Sequence, residues 1–327
     1  MKKSLIALAV LATTGAAMAQ SNVTLYGRID TSIGAEKVNG VSTTKMFSGA
    51  LTTSRWGLRG SEDLGGGLKA NFQLETGIKS DTGAQGTEGS AFDRQSWVGL
   101  SGGFGSVKFG RTDSIFKDIY DLGNAYNVWD SDFTSGKVAY DGVKNFTSRP
   151  TNQVRYDTPN LSGFSAGLTY AMDEKVAKAA EITAIGVRYN AGALAVGLGY
   201  QDESFYQDPT SDRKYTALTA TYDFGVVRAS ALVHNAKQAN GLKDNDFGIG
   251  LSVPMGNLDF SVGYGSSETK RNGVKTLDGS AFSLGVTYAM SKRTKLYGGF
   301  VDGEVKTVAT GAKKETRLYS VGVRHDF

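Results

Sequence analysis

The residue types that most often carry catalysis or bind metals are scarce in this chain of 327 residues, which has two histidines and no cysteine. The lack of cysteine excludes a disulfide framework, a thiolate nucleophile and any Cys-ligated zinc or iron–sulfur site. His234 and His325 belong to no recognisable motif with a serine and an acid, as a hydrolase would require. The glycine run at 65–67 is not followed by the Lys-Ser/Thr pair of a phosphate loop. These patterns argue against an enzyme, a resident metal and a cofactor.

Charged residues alternate with apolar ones at many places in the chain, and most of them are arginines. The charged residues at such positions include Arg28, Arg55, Lys69, Glu75, Arg94, Arg155 and Arg188. Clusters of arginine favour anions in pores. Two unit charges about 4 Å apart interact by roughly 1 kcal/mol in bulk water and by about 4 kcal/mol at an effective dielectric constant of about 20. The chemistry to expect is therefore electrostatic selection of solutes rather than bond making.

The first residues have the pattern of an export signal. Lys2 and Lys3 precede an apolar run at 5–12, and the small-residue site Ala17-Met18-Ala19 follows. A charged start, a short apolar middle and an A-x-A end predict a signal peptide over residues 1–19. Removing its two lysines lowers the formal net charge from +4 to +2. The mature chain, residues 20–327, is then nearly neutral and lacks the basic run expected of a nucleic-acid-binding protein.

The positions of these charges are set by segments in which apolar and polar residues alternate, as at 68–78, 247–253, 258–264 and 282–288. Successive side chains on a strand point to opposite faces, so each segment has one apolar and one polar face. Sixteen segments are predicted, starting near residues 22, 46, 66, 91, 104, 150, 162, 181, 192, 212, 225, 243, 256, 278, 294 and 314. The segment near 294 has apolar residues on both faces, so its orientation stays open.

The connections alternate in length. Short ones rich in Gly, Asn, Asp and Pro, such as 63–67, 102–103, 190–192 and 254–256, alternate with longer polar ones near 35–45, 112–148, 173–180, 202–211 and 268–277. Short turns at one end and long loops at the other are typical of outer-membrane barrels. The fold class predicted is all-β, a sixteen-stranded antiparallel transmembrane β-barrel.

A soluble sandwich also alternates, but three features favour a membrane barrel. The polar faces are too charged for a dry interior, and tyrosines such as Tyr170, Tyr200 and Tyr264 end the apolar runs, as at membrane interfaces. The alternating pattern of the last strand runs to Phe327. In a closed barrel this last strand must pair with the first strand, so that no backbone edge is left unpaired in hydrocarbon. Sixteen strands leave a water-filled channel. Trp56 and Trp97 are both predicted to pack against lipid, with a sugar-stacking platform as the less favoured alternative.

Six stretches of the sequence resemble general porins of the Gram-negative β-proteobacterial family, neisserial and burkholderial. They are Val23–Gly27, Ser54–Ala70, Arg94–Leu100, Arg155–Asn160, Ser291–Thr294 and Gly322–Phe327. The resemblance implies a homotrimer in the outer membrane, in contact with lipid and lipopolysaccharide, with a third external loop folded inward. It also implies that Phe327 is read by the outer-membrane assembly machinery.

The resemblance further implies a cluster of arginines on the barrel wall facing that loop. The matching residues are Arg55, Arg94 and Arg149, with Arg155 on the same face as Arg149 and Arg28 as a further candidate. The segment 112–148 matches the inward loop and carries Asp113, Asp118 and Asp121, chosen as its acidic side, together with Asp130 and Asp132. Cations on one wall and carboxylates on the other create a transverse field across the pore.

The function predicted is a general diffusion channel for ions and small hydrophilic solutes, with a weak preference for anions. Two alternatives stay open. A substrate-specific channel is expected to show an aromatic slide or a saturable site, and an adhesin would use the barrel only as a scaffold.

Overall fold

The computed structural model describes residues 22–125, 127–128, 133–140, 142–143 and 145–327. The predicted signal peptide, Asp130 and Asp132 lie outside these residues. The strand segments are β1 (Asn22–Val38), β2 (Val41–Ser48), β3 (Arg55–Gly65), β4 (Leu68–Gly77), β5 (Gln95–Gly102), β6 (Gly105–Arg111), β7 (Gln153–Asp157), β8 (Phe164–Ala171), β9 (Ala180–Ala191), β10 (Leu194–Phe205), β11 (Arg213–Asp223), β12 (Arg228–Gln238), β13 (Leu242–Met255), β14 (Leu258–Arg271), β15 (Val274–Ala289), β16 (Thr294–Thr307) and β17 (Lys313–Asp326). The helices are α1 (Ile115–Gly123) and α2 (Ser135–Ala139), and Pro209–Ser211 forms a short 3-10 turn.

The strands form one closed antiparallel sheet. Arg28 pairs with β17 on one side and β3 on the other, while Thr31 pairs with β17 and β2. The two segments β2 and β3 therefore share one strand position, interrupted at 49–54, and the barrel of the described residues has sixteen positions. This confirms the predicted strand number. The sequence predicts one continuous strand starting near residue 46, whereas the structure has two segments separated at 49–54.

The barrel closes where the two ends of the sheet meet. Gly27 and Phe327 exchange two backbone hydrogen bonds, each with an N–O distance of 3.0 Å. From Arg28 to Val38, β1 continues this pairing along β17. Closure satisfies the backbone donors and acceptors that an open edge would leave unpaired in hydrocarbon. The predicted pairing of the last strand with the first is confirmed.

Apolar side chains cover the outer face of the wall, and polar or small ones make up most of the inner face. Val98, Leu198 and Val233 are 54–58% exposed, whereas Gln201 and Thr219 on the other face are buried. This inverts the arrangement of a soluble protein, in which large exposed apolar patches are rare. On β16 the outer face carries Leu296 and Phe300, while Tyr297 and Val301 are buried inside. The structure thus determines the orientation of this strand, which the sequence left undecided.

Two of the predicted loops are strand hairpins instead. Strands β1 and β2 continue to a two-residue turn at Asn39-Gly40, and β14 and β15 to one at Asn272-Gly273. All four residues have positive φ, between 48° and 86°, as a type I′ turn requires, and Asn-Gly is the pair best suited to it. The loops predicted at 35–45 and 268–277 are therefore wrong. Polar residues on both faces of these strand ends hide the alternation.

The helices both lie in the long connection between β6 and β7, which is predicted from the sequence only as a loop. Helix α1 begins after Ser114, whose hydroxyl accepts a hydrogen bond from the Lys117 backbone N–H, a common N-cap. Its buried side chains Ile115, Phe116 and Ile119 share one face, which gives the helix an apolar stripe. No helix in the described part of the chain is long and apolar enough to cross a membrane.

Candidate pore constriction

Arginines from neighbouring strands adjoin on the inner face. Arg28 on β1 lies directly opposite Arg55 on β3, a placement that is repulsive unless it is compensated. Arg28 Nε lies 3.1 Å from Asp326 Oδ1, and Arg324 Nη2 lies 2.8 Å from Oδ2 of the same carboxylate. Two guanidinium groups therefore share Asp326. The inward orientation that the alternation predicts for Arg28 is confirmed.

A second carboxylate, Glu75, joins Arg55 to Arg94. The Arg94 Nε lies 2.7 Å from Glu75 Oε1, and the Arg55 Nε lies 3.6 Å from Oε2. The Tyr26 hydroxyl also donates to Oε2, over 3.0 Å. Glu75 is only 6% exposed, and removing its cationic partners would leave a buried charge uncompensated. The alternation places this acid on the polar face, although it was not among the predicted site residues.

Arg149 continues the row of cations toward helix α1. Its Nε lies 2.8 Å from Asp113 Oδ1. The Gln95 side-chain amide donates to Asp113 Oδ2 over 2.9 Å, and Gln95 directly follows Arg94 in the chain. The structure therefore brings Arg28, Arg55, Arg94 and Arg149 into one continuous stretch of side chains.

Arg155 lies beneath the helix rather than beside open water. It is 6% exposed and forms ion pairs with Asp118 of α1 and Asp157 of its own strand. Its Nη1 also donates to the Asp113 carbonyl oxygen over 2.9 Å. Such charge-assisted contacts are the strong kind of hydrogen bond. Arg155 therefore fixes the start of α1 to strand β7.

The third loop acid, Asp121, is paired within the helix itself. It forms an ion pair with Lys117, one turn earlier, and Lys117 Nζ is also 3.9 Å from Asp113 Oδ1. Burial lowers the pKa of Lys117, but the carboxylates of Asp121 and Asp113 outweigh burial, so the pKa is raised. The lysine thus stays charged and holds both acids.

The loop acids therefore touch cations directly. The transverse field predicted from the sequence places Asp113, Asp118 and Asp121 across the pore from the arginines, whereas Asp113 and Asp118 contact arginines directly and Asp121 contacts Lys117. The physical reason is the close approach of α1 to the wall. The pairs of Asp113 with Arg149 and of Asp118 with Arg155 bind the α1 region to the barrel wall, whereas the pair of Asp121 with Lys117 lies within the helix. Much of this charge is cancelled where the groups meet.

Glycines on the inner face permit that close approach. A Cβ added at Gly186 on β9 would lie 2.8 Å from Ile115 Cγ1, and one at Gly167 on β8 would lie 2.7 Å from Ile115 Cδ1. On β10, a Cβ at Gly199 would meet Phe116 at 3.1 Å. Contacts under about 3.4 Å are tighter than ordinary carbon packing. Side chains at these positions would push α1 away from the wall.

The same segment also contacts the other side of the barrel. A Cβ at Gly279 on β15 would lie 1.9 Å from the Ala139 carbonyl oxygen, and one at Gly265 on β14 would lie 3.0 Å from Gly136 N. Phe133 packs there in a buried cluster that includes Tyr297 and Val301. The connection between β6 and β7 thus packs on inward-facing residues of strands from β7 to β16.

The histidine that the alternation places inside, His234, supports α1. Its Nδ1 lies 2.8 Å from Asp246 Oδ2, and its ring contacts Tyr120 with centroids 5.3 Å apart. Burial raises the pKa of Tyr120 far above its usual value, so its hydroxyl stays neutral. His325 is on the outer face, as predicted. Among the described residues there is no group of three or more His, Asp or Glu placed to hold a metal.

Trp97 points the opposite way from the prediction. Trp56 is 36% exposed on the outer face, as expected, but Trp97 lies between the outward-facing Ser96 and Val98 and so points inward. Its indole N–H donates to Gln95 Oε1 over 3.1 Å. The alternation of residues in its own strand already indicates this inward orientation.

A closed barrel of sixteen positions, apolar outside and charged inside, defines a transmembrane channel protein. The chain belongs to the Gram-negative porin family, whose sequence profile matches residues 4–326. It is an outer-membrane porin, a passive channel and not an enzyme.

Individual relatives agree with this assignment over nearly the full length. The chain is 38% identical to outer membrane porin protein 32 of Delftia acidovorans, covering 99% of this chain and 95% of that protein. It is 33% identical to the major outer membrane protein P.IB of Neisseria meningitidis serogroup A, covering all of both. Among solved structures, the anion-selective porin from Comamonas acidovorans superposes with a TM-score of 0.79 at 32% identity, covering 94% of this chain and 100% of that one.

Proposed function

We propose that this porin is a general diffusion channel for ions and small hydrophilic solutes, with a weak preference for anions. The observation that carries the proposal is the convergence of four guanidinium groups on two carboxylates. Arg28 and Arg324 share Asp326, while Arg55 and Arg94 both reach Glu75. Such a wall attracts anions. The similarity to a solved porin that is described as anion-selective also supports a preference for anions.

The segment 112–148 forms the constriction in this proposal. Its acids Asp113 and Asp118 neutralise Arg149 and Arg155 and hold α1 against the wall. The selectivity then depends mainly on Arg28, Arg55 and Arg94, whose carboxylate partners belong to the wall itself. The loop sets the width of the passage and the arginines set its charge.

The same proposal covers export and assembly. Residues 1–19 act as the signal peptide, and the mature chain forms a homotrimer in contact with lipid and lipopolysaccharide. Phe327 is the residue read by the assembly machinery. Its backbone is fixed by Gly27, whereas its ring is 46% exposed, so the ring is available for recognition while the barrel closes.

The ion preference is tested by the reversal potential of the purified protein in a planar bilayer under a KCl gradient. We expect a sign that favours chloride, with a permeability ratio of about two to five, since one charge at close range contributes roughly 1 kcal/mol in water. The preference should weaken at 1 M KCl, where the Debye length falls to about 3 Å. A reversal potential that favours potassium would contradict the proposal.

A further inference from the structure

We infer that a recess in the lumen wall binds small hydroxylated organic anions, such as sugar phosphates, weakly and saturably. The recess has a volume of about 480 Å³, and its lining includes Arg59, Asn71, Gln73, Trp97, Ser101 and Lys108. This inference rests on the proposed channel function and adds to it a class of preferred solute.

The recess begins beside the arginine cluster, where Trp97 donates to Gln95 and Gln73 donates to the Tyr26 hydroxyl, and it extends away from the cluster. On β3, Arg59 follows Arg55 by four residues toward the short turn, and on β4 Asn71 precedes Glu75 by four. At roughly 3.3 Å per residue, the recess extends about 13 Å beyond the cluster. Because short turns of such barrels face the periplasm, a solute would reach the recess after passing the arginines.

The lining of the recess includes the half-buried ring of Trp97, whose cross-strand partner on β4 is Gln73. Its direct partner on β6 is Gly110, and Gly99 is the next inward position on its own strand, so neither neighbour has a side chain to pack on the ring. The bond from the indole N–H to Gln95 fixes its orientation. An aromatic ring held in one orientation suits the C–H face of a sugar ring, because aromatic side chains combine a large apolar surface with defined geometry.

Positive charge lies next to this ring. The Lys108 ammonium is 5.4 Å from the ring centroid of Trp97 and 3.5 Å from Asp157 Oδ2. The Arg59 guanidinium lies over the ring of Tyr26, with 4.9 Å to its centroid. Hydrogen bonds from ammonium or guanidinium to an anionic oxygen are stronger than neutral ones. A solute that carries a ring and a negative group would therefore meet complementary partners for both.

The remaining lining is suited to hydroxyl groups. The Asn71 amide donates to Ser101 Oγ over 2.9 Å, and the Gln73 amide donates to the Tyr26 hydroxyl over 2.6 Å. The Asn71 amide nitrogen also lies 3.4 Å from the Lys69 carbonyl oxygen, and the side-chain carbonyl oxygen of each primary amide can accept bonds from a solute. Chloride would make no use of the ring, and an apolar aromatic anion would offer no hydroxyl group to these carbonyl oxygens. The combination favours a hydroxylated anion.

The test is block of the KCl current through the whole channel in planar bilayers, titrated with glucose 6-phosphate, glucose or inorganic phosphate. We expect glucose 6-phosphate to block saturably and at lower concentration than the other two. Trp97→Ala should raise its half-blocking concentration about fivefold, the scale of one aromatic contact. Trp97→Phe should retain most of the block, and Trp56→Phe, on the outer face, should leave it unchanged. Lys108→Gln should abolish the preference for glucose 6-phosphate over glucose.

The outcomes separate the site from the channel. Equal block by inorganic phosphate with no effect of Trp97→Ala would overturn the inference, since only the charge of the wall would be acting. A linear, unsaturated response in a channel that still conducts KCl would also overturn it while leaving the proposed function intact. Absence of any KCl conductance by the wild-type protein would contradict the proposed function itself. Wild-type KCl conductance of the Trp97→Ala variant confirms that it has folded.

Discussion

A porin carrying Arg55→Gln and Arg94→Gln is expected to lose its preference for chloride and to favour potassium. Both guanidinium groups reach the carboxylate of Glu75, at 3.6 and 2.7 Å. Removing two positive charges leaves that acid as the dominant charge of this part of the wall. At roughly 1 kcal/mol per charge in water, we expect the ratio of chloride to potassium permeability to fall by at least about fivefold. The reversal potential under a KCl gradient measures this change.

Two further variants make that experiment specific. Arg317→Gln removes an arginine from the outer face, where Nη2 lies 2.6 Å from Asp302 Oδ2, and should leave the reversal potential unchanged. Glu75→Gln removes the shared carboxylate and should increase the preference for chloride. If the double variant kept the wild-type reversal potential while Arg317→Gln changed it, the arginine cluster would not be the source of selectivity.

The second large effect is expected from loosening α1. A triple variant with Ile115→Ala, Phe116→Ala and Ile119→Ala should have a higher single-channel conductance and admit larger solutes. All three side chains are buried against the inner wall. Truncating such side chains costs about 2–5 kcal/mol each, which exceeds what the remaining ion pairs of Arg155 with Asp118 and of Arg149 with Asp113 can offset. Single-channel recording and swelling of liposomes in sugars of graded size measure the two changes.

The matched control is Ile185→Ala. Ile185 adjoins Gly186 in β9 but points outward and is 51% exposed, so its truncation should leave conductance and solute size limits unchanged. The variants must also be compared for heat stability of the folded barrel, because a misfolded channel would conduct less rather than more. A well-folded triple variant with wild-type conductance would show that α1 does not restrict the passage.

The barrel was predictable because water on one side and lipid on the other impose a period of two on the strands. That pattern is clear where a strand crosses the membrane, as in 258–264. It is absent where strands extend beyond the membrane, since both faces are polar there. This is why the hairpins at Asn39-Gly40 and Asn272-Gly273 were mistaken for loops, although the Asn-Gly pairs themselves carry a turn signal.

The site was predictable in orientation but not in its partners. Alternation alone places Arg28, Arg55 and Arg155 on the inner face. The contact between Arg155 and Asp118 depends on where α1 packs, which is decided by glycines such as Gly186 on other strands. No local pattern links residues so distant in the chain. Asp113 and Asp118 contact arginines directly, whereas Asp121 pairs with Lys117 of its own helix, and the sequence indicated neither the partners nor the distances.

The most direct test of the account uses the absence of cysteine from the sequence. Single cysteines are placed at Gln73, on the inner face, and at Val98, 58% exposed on the outer face. Val98 neighbours Trp97, the direct cross-strand partner of Gln73. In membranes, a charged, water-soluble methanethiosulfonate reagent should modify Gln73→Cys and reduce the KCl conductance, and should leave Val98→Cys unmodified. Modification of Val98→Cys with protection of Gln73→Cys would place water on the wrong side of the wall and contradict the account.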